Sequence, residues 1–228
     1  MRLGLTKYGR REWVLCSLVI AACVAASIFV SMPRWHWSLI TILPLGAVWA
    51  WVLWFFRDPE RELTGGSEFL ASPADGRVTD ITPIGAESVL GCEGLKVGIF
   101  MSVFDVHVNR SPADAVVEQV RHQAGAFLDA RNPNASERNE SATTHLRLRV
   151  GDRDFPLVIR QVAGLIARRI VTDLAPGQRV ARGQRIGMIK FGSRMEVLVP
   201  RDLSPQALVS IGQHVQAGET ALIKVNIA

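Results

Sequence analysis

The stretch MIKFGSRMEVLV, residues 188–199, alternates apolar and polar side chains in the way that a half-buried β-strand does. The pair Gly192–Ser193 interrupts this strand, because glycine weakens strands and because Ser193 falls on the apolar face. A buried serine whose hydroxyl is bonded to a neighbouring carbonyl is the ordinary explanation of such a position. The other explanation is that residue 193 is chemically reactive. The predicted apolar face also holds Ile189, Phe191, Met195, Val197 and Val199, and the opposite face holds Lys190, Arg194 and Glu196.

Two segments without any charged residue, 13–32 and 37–56, precede the rest of the chain. Each holds 20 residues, which is enough for a helix to cross a hydrocarbon core of about 30 Å. A removable signal peptide is less consistent with the first segment, since a second apolar segment follows four residues later. We therefore predict a basic N-terminal segment and a transmembrane hairpin over residues 1–56. Residues expected near its ends or at a kink are Trp35, Trp37, Trp51, Trp54 and Pro44.

Basic residues flank the predicted hairpin on its two outer sides, and the turn between the helices holds only Arg34. This bias places the N-terminus and residues 57–228 in the cytoplasm. Residues 1–56 hold five of the 26 basic and one of the 21 acidic residues, which leaves 21 against 20 in the remainder. A nearly neutral domain lacks the basic surface that nucleic-acid binding requires, so no nucleic-acid partner is predicted.

Residues 57–228 are predicted to form a compact, mainly β domain, because short alternating segments are separated by Gly, Pro and Asp turns. The segment 113–128 fits either a helix or a strand, and the polar segment 130–141 is expected to be an exposed loop. The Gly-Gln turns within 174–189 and 209–222 are typical of barrel-sandwich domains that carry a modified lysine. Lys190 lies inside a strand rather than at a hairpin tip, which argues against a carrier.

Two further stretches place polar residues among apolar ones. Asp75 precedes a glycine in SPADGRV, residues 72–78, where a turn aspartate is the ordinary explanation. His107 lies in FMSVFDVHVNRSP, residues 100–112, and the Asp105 carboxylate is expected on the same strand face, where it would orient the imidazole. The chain has no GxSxG motif, no CxxC pair and no glycine-rich phosphate loop, and its histidines are dispersed, so no metal site is predicted.

Four motifs in a fixed order, FFRDPER (55–61), SPADGRV, FMSVFDVHVNRSP and KFGSRMEV (190–197), resemble the phosphatidylserine decarboxylase family in its shorter, bacterial and archaeal branch. The resemblance implies a proenzyme that cuts itself when the Ser193 hydroxyl attacks the Gly192 carbonyl. A β chain, 1–192, and an α chain, 193–228, would result. The α chain would begin with a pyruvoyl group made from Ser193, with no external cofactor and no metal.

The same resemblance implies the reaction and its place. The pyruvoyl ketone would form a Schiff base with the head-group amine of phosphatidylserine, CO₂ would leave, and phosphatidylethanolamine would be released. The substrate would be a phospholipid in the bacterial inner membrane, reached from the cytoplasmic side. A different serine-headed lipid or a soluble amino acid are alternative substrates. A non-catalytic, membrane-tethered barrel-sandwich module is the alternative from another class, and a homo-oligomer is left open.

Residue roles follow from the resemblance position by position. Asp75 matches the family's acidic residue and is a candidate base for self-cleavage. His107 matches the histidine that positions or protonates substrate. The longer branch of the family has a second histidine where this chain has Arg110, and a threonine where it has Arg194. Arg110 is predicted to bind the lipid phosphate or the substrate carboxylate, since a guanidinium suits both.

Overall fold

The computed structural model describes residues 3–32, 36, 38–132, 134–165, 169–190 and 192–226. The predictions for Trp35, Trp37 and Phe191 therefore lie outside the described residues. The chain divides into two compact units, Met1–Glu60 and Arg61–Ala228. The helices are α1 (Arg10–Val30), α2 (Leu39–Phe55) and α3 (Ala135–Arg138). The first strands are β1 (Leu3–Leu5), β2 (Arg57–Pro59), β3 (Phe69–Ala71), β4 (Gly76–Ile84), β5 (Gly94–Met101), β6 (Val108–Arg110), β7 (Ala115–Gln123) and β8 (Ser141–Val150). They are followed by β9 (Arg153–Val162), β10 (Ile170–Thr172), β11 (Arg179–Val180), β12 (Arg185–Ile189), β13 (Ser193–Pro200), β14 (Gln206–Ala207), β15 (His214–Val215) and β16 (Ala221–Lys224).

The N-terminal unit is a helical hairpin. Trp49 Nε1 donates a hydrogen bond of 2.9 Å to Ser17 Oγ, and the hydroxyls of Ser27 and Thr41 also bond, so α1 and α2 run antiparallel. By length and composition the helix Lys7–Val30, 24 residues long, is able to cross a membrane. Helix α2 has 17 residues, and at 1.5 Å per residue it is shorter than a full span of about 30 Å. Outside the helices, β1 pairs with β2.

The second unit is built from antiparallel β-sheets. Its largest sheet has eight strands in the order β11-β7-β8-β9-β13-β5-β4-β15, and two three-stranded sheets have the orders β10-β12-β6 and β14-β16-β3. The mainly β prediction is confirmed, and the ambiguous segment 113–128 contains strand β7 rather than a helix. Strand β13 lies between β9 and β5, which places Ser193 inside the sheet that carries most of the apolar core.

Of two sequence predictions about exposure, the first holds only in part and the second is wrong. The polar segment 130–141 is not simply an exposed loop: Asn139 is buried, and its Nδ2 donates bonds of 2.8 Å to the carbonyls of Leu128 and Ala163. Strand β13 is buried on both faces rather than one. Its charged side chains are buried because Arg194 pairs with Glu196 at 2.8 Å and with Asp80, so that each charge has a partner.

Candidate active site

The Gly192–Ser193 bond lies at the start of strand β13, where the backbone bends at Gly192. Gly192 has φ of +57°, in the left-handed region that glycine adopts without steric cost. Ser193 pairs with Met101 of β5 and is fully buried. Its Oγ donates a hydrogen bond of 3.4 Å to Met101 Sδ, a weak acceptor. The hydroxyl thus points into the core, directly after a glycine whose backbone is left-handed.

The carbonyl of Gly192 packs against a second glycine. A Cβ added to Gly164 would lie 2.1 Å from the Gly192 carbonyl oxygen and 3.0 Å from its carbon. Gly164 follows the end of β9, and continuing the pairing of Val162 with Arg194 places Gly164 opposite Gly192. The missing side chain at 164 is therefore what allows the Gly192 carbonyl to occupy its position.

Three polar residues that the sequence analysis did not single out continue the environment of Ser193 into the core. Asn109 Nδ2 donates to Met101 Sδ at 3.7 Å, so one sulfur accepts from both Asn109 and Ser193. Gln161 Nε2 donates to Asn109 Oδ1 at 2.9 Å, and Thr172 Oγ1 donates to Gln161 Oε1 at 2.8 Å. Asn109 and Gln161 are both buried.

Asp75 is buried one residue before β4 and is held by two partners. Its Oδ2 accepts a bond of 2.6 Å from Arg61, which also binds Glu219 at 2.9 Å. Its Oδ1 accepts a bond of 2.8 Å from the Ala217 amide. Burial raises the pKa of Asp75 above its usual value, against the opposing effects of Arg61 and of the Ala217 amide. A raised pKa makes this carboxylate a better proton acceptor.

The backbone next to Asp75 is separated from Ser193 by one strand. Gly76 of β4 lies beside β5, with the Gly76 Cβ position 2.1 Å from the Phe100 carbonyl oxygen, and Ser193 of β13 lies on the other side of β5. Two strand spacings amount to about 10 Å. The backbones of residues 75 and 193 are thus about 10 Å apart, and the Asp75 carboxylate is held by Arg61 and by the Ala217 amide.

His107 lies in the loop between β5 and β6 rather than on a strand, and it is fully buried. Its Nδ1 donates a bond of 2.9 Å to the main-chain carbonyl of Asp105. The expectation that the Asp105 carboxylate orients His107 is wrong, because that carboxylate binds Ser102 at 2.7 Å and His214 Nε2 at 2.9 Å. Burial opposes ionisation of Asp105, but the bonds from His214 and Ser102 keep its pKa below its usual value. His214, which the sequence analysis treated as isolated, is thus brought to the loop of His107.

Arg110 ends strand β6 and is buried, and its Nη1 donates a bond of 3.0 Å to the Gly183 carbonyl. Its predicted role in substrate binding stays a prediction. Over the described parts of the chain, no group of three or more His, Cys, Asp or Glu side chains is arranged to hold a metal ion.

Comparison with known proteins gives a consistent result. The sequence profile of the family described as phosphatidylserine decarboxylase matches residues 48–223. A protein of Symbiobacterium thermophilum is 41% identical over 213 residues, which cover 93% of each chain. A protein of Nitrosomonas eutropha is 41% identical over 204 residues, 90% of each chain. A protein of Paramagnetospirillum magneticum is 36% identical over 229 residues, covering 97% of this chain and 90% of its own. All three are named phosphatidylserine decarboxylase proenzyme.

Proposed function

Because the chain belongs to the phosphatidylserine decarboxylase family, we propose that it converts phosphatidylserine to phosphatidylethanolamine and CO₂ after cutting itself between Gly192 and Ser193. The observation that carries this proposal is the buried Ser193 hydroxyl, which follows a glycine with a left-handed backbone and a carbonyl seated on Gly164. A serine serving only the core would be expected to bond a carbonyl, whereas this one contacts a thioether, which holds it weakly.

Self-cleavage needs only water from outside the chain. The Ser193 Oγ attacks the Gly192 carbonyl carbon and loses its proton to a base, while the Gly192–Ser193 C–N bond breaks and the nitrogen gains a proton. The resulting ester loses the Gly192 carboxylate by elimination across Cα and Cβ of residue 193. Water then replaces the nitrogen, which leaves as ammonia. The α chain 193–228 stays attached without a covalent bond, because β13 pairs with β9 and β5 and β16 pairs with β3.

The residues around position 193 fit the pyruvoyl group that the family implies. Met101 pairs with Ser193, and continuing the pairing of Val162 with Arg194 places Ala163 opposite it on β9. Met195 lies two residues further along β13, and all three side chains are buried. When present, the group supplies a ketone that accepts the electrons released as an amine-bearing substrate loses its carboxylate. A dry site favours that loss, because a carboxylate is costly to hold there whereas CO₂ is neutral.

Asp75 and His107 are proposed to act at different stages. Asp75 has a raised pKa and lies one strand from Ser193, which supports a role as the base of self-cleavage once its bond to Arg61 opens. His107 carries its ring proton on Nδ1, since the Asp105 carbonyl only accepts, so the neutral ring presents Nε2 as a proton acceptor. We propose that this ring positions the substrate, takes up a proton at Nε2 during turnover and delivers it to the carbon from which CO₂ has left.

Variants at these two positions are expected to fail at different stages. Asp75→Asn should stay uncut, because an amide does not accept the Ser193 proton. His107→Gln should cut normally but turn over more slowly, by about 100-fold, because a proton-transfer group is lost. Mass spectrometry of the denatured protein measures how much of the chain is cut, and CO₂ release measures turnover. Normal cutting of Asp75→Asn would remove Asp75 as the base, and full turnover by His107→Gln would remove His107 from the reaction.

The substrate is tested with purified, processed protein in detergent micelles. Phosphatidylserine in the micelle should yield phosphatidylethanolamine and CO₂, whereas free serine at the same concentration should yield neither. An ether-linked serine lipid distinguishes recognition of the head group from recognition of the acyl ester. A processed chain that releases CO₂ from free serine but not from the lipid would overturn the assignment of substrate.

We propose that the N-terminal apolar helices hold the protein at the bacterial inner membrane, with the β domain on the cytoplasmic side. Arg10 and Arg11 are the first residues of α1 and Arg57 follows α2, in agreement with the positive-inside bias. An anchored site suits a lipid whose acyl chains stay in the bilayer. Trypsin added outside sealed spheroplasts should leave the β domain intact. Digestion of the β domain by this trypsin would mean that the domain lies on the outer side of the membrane.

A further inference from the structure

A series of side-chain hydrogen bonds, partly buried at Thr172 and fully buried from Gln161 onward, crosses the core and ends at Ser193. It runs from Thr172 on β10 through Gln161 on β9 and Asn109 on β6 to Met101 on β5, whose sulfur also accepts the Ser193 hydroxyl. This series of hydrogen bonds therefore joins the three-stranded sheet β10-β12-β6 to the eight-stranded sheet.

Each side-chain amide in this series of hydrogen bonds is fixed in one orientation by the residue that it bonds. Gln161 accepts the Thr172 hydroxyl through Oε1, so its Nε2 faces Asn109. Asn109 accepts that bond through Oδ1, so its own NH₂ group faces the sulfur of Met101. The backbone also leaves room for the arrangement, because a Cβ at Gly187 would lie 3.3 Å from Gln161 Nε2. The direction of donation toward residue 193 is thus set from Thr172 onward.

Stability alone does not account for this arrangement. A thioether is a weak acceptor, and a core in which both amides were replaced by apolar side chains of similar size would be about as stable. Methionine has three rotatable side-chain bonds and adapts readily to its surroundings. A donor aimed at its sulfur therefore restricts a side chain that would otherwise be free to move beside the reacting hydroxyl.

We propose that Asn109, oriented by Gln161 and Thr172, is a positioning residue for self-cleavage. It fixes the Met101 thioether, and the thioether in turn holds the Ser193 hydroxyl in the rotamer from which it attacks the Gly192 carbonyl. The inference rests on the proposed function, since it concerns the first bond that the proenzyme makes and breaks. A displacement of about 1 Å in such an attack costs about 100-fold in rate.

The test is the rate of cutting in the double variant Asn109→Leu/Gln161→Met. The full chain is synthesised in the presence of detergent, and the fraction of cut chain is measured over time by mass spectrometry of the denatured protein. The double variant removes both partners together, so no buried amide is left without its bond and the fold should persist. We expect a melting temperature close to that of the wild type and a cutting half-time at least about tenfold longer. Thr144→Val, a buried polar change on β8, is the matched control and should cut at the wild-type rate.

Hydroxylamine separates positioning from later chemistry, because it cleaves the Gly192–Ser193 ester and leaves an α chain that begins with serine. If Asn109 positions the attack, little ester forms and hydroxylamine should not restore cutting. Cutting of the double variant at the wild-type rate, or its recovery with hydroxylamine, would overturn the role.

If the double variant does not fold, Thr172→Val decides: cutting about threefold slower supports the role, and wild-type cutting overturns it. A wild-type chain that stays intact would instead overturn the proposed function itself.

Discussion

A chain carrying Ser193→Ala is expected to stay a single polypeptide of 228 residues and to release no CO₂ from phosphatidylserine. The substitution removes the atom that attacks the Gly192 carbonyl, so neither the ester nor the chain ends can form. It costs the fold little, because the Ser193 hydroxyl makes a weak bond of 3.4 Å to Met101 Sδ, and we expect a loss below about 1 kcal/mol. Denatured intact mass gives the answer directly. The wild type should yield fragments 1–192 and 193–228, the smaller lighter by one ammonia than the fragment from simple hydrolysis.

A matched control is Ser141→Ala, since Ser141 is also buried and lies at the start of β8. This variant should be cut and active like the wild type, because the Ser141 hydroxyl accepts a bond of 3.4 Å from Arg160 and strand β9 lies between β8 and β13. Cutting of Ser193→Ala would show that another group attacks position 192. A wild-type chain that stays whole, purified from membranes in which it is active, would return Ser193 to an ordinary place in the core.

The sequence was sufficient to predict the mainly β class and a serine that points into the core at position 193, because both depend on local pattern. Alternation with period two identified the strand around residues 193–200, and a polar side chain on its apolar face marked Ser193. Exposure was predicted less well. Whether the outer face of a strand meets solvent depends on what other segments cover it, and Ser136 of α3 donates a bond of 2.6 Å to Glu196 on that face. Such cover comes from distant sequence and leaves no local signal.

The residues around Ser193 could be predicted only in part. Gln161 gives the same signal as Ser193, because it follows Leu157 and Ile159 on the apolar face of β9, and the same reasoning would have identified it. Asn109 and His214 give no such signal. Their partners, Gln161 and Asp105, lie 52 and 109 positions away in the chain, and only the packing of sheets and loops brings them together.

Gly164→Ala is expected to slow self-cleavage by about 100-fold or more, although residue 164 carries no side chain that takes part in the chemistry. The added Cβ would lie 2.1 Å from the Gly192 carbonyl oxygen, well inside van der Waals contact, so the backbone on one side has to move. The displaced group is the carbonyl that we propose Ser193 attacks, and such an attack is sensitive to shifts of about 1 Å. The measurement is the fraction of cut chain against time, by denatured mass.

Loss of stability is the competing explanation of such an effect, and Gly94→Ala is the variant that separates the two. A Cβ at Gly94 would lie 2.2 Å from the Val199 carbonyl oxygen, a similar overlap at the opposite end of β13. Both variants should melt at lower temperature than the wild type, but only Gly164→Ala should accumulate uncut chain. Equal slowing in the two would mean that cutting follows the overall stability of β13. Wild-type cutting by Gly164→Ala would mean that the Gly192 carbonyl reacts from a position other than the one it occupies against Gly164.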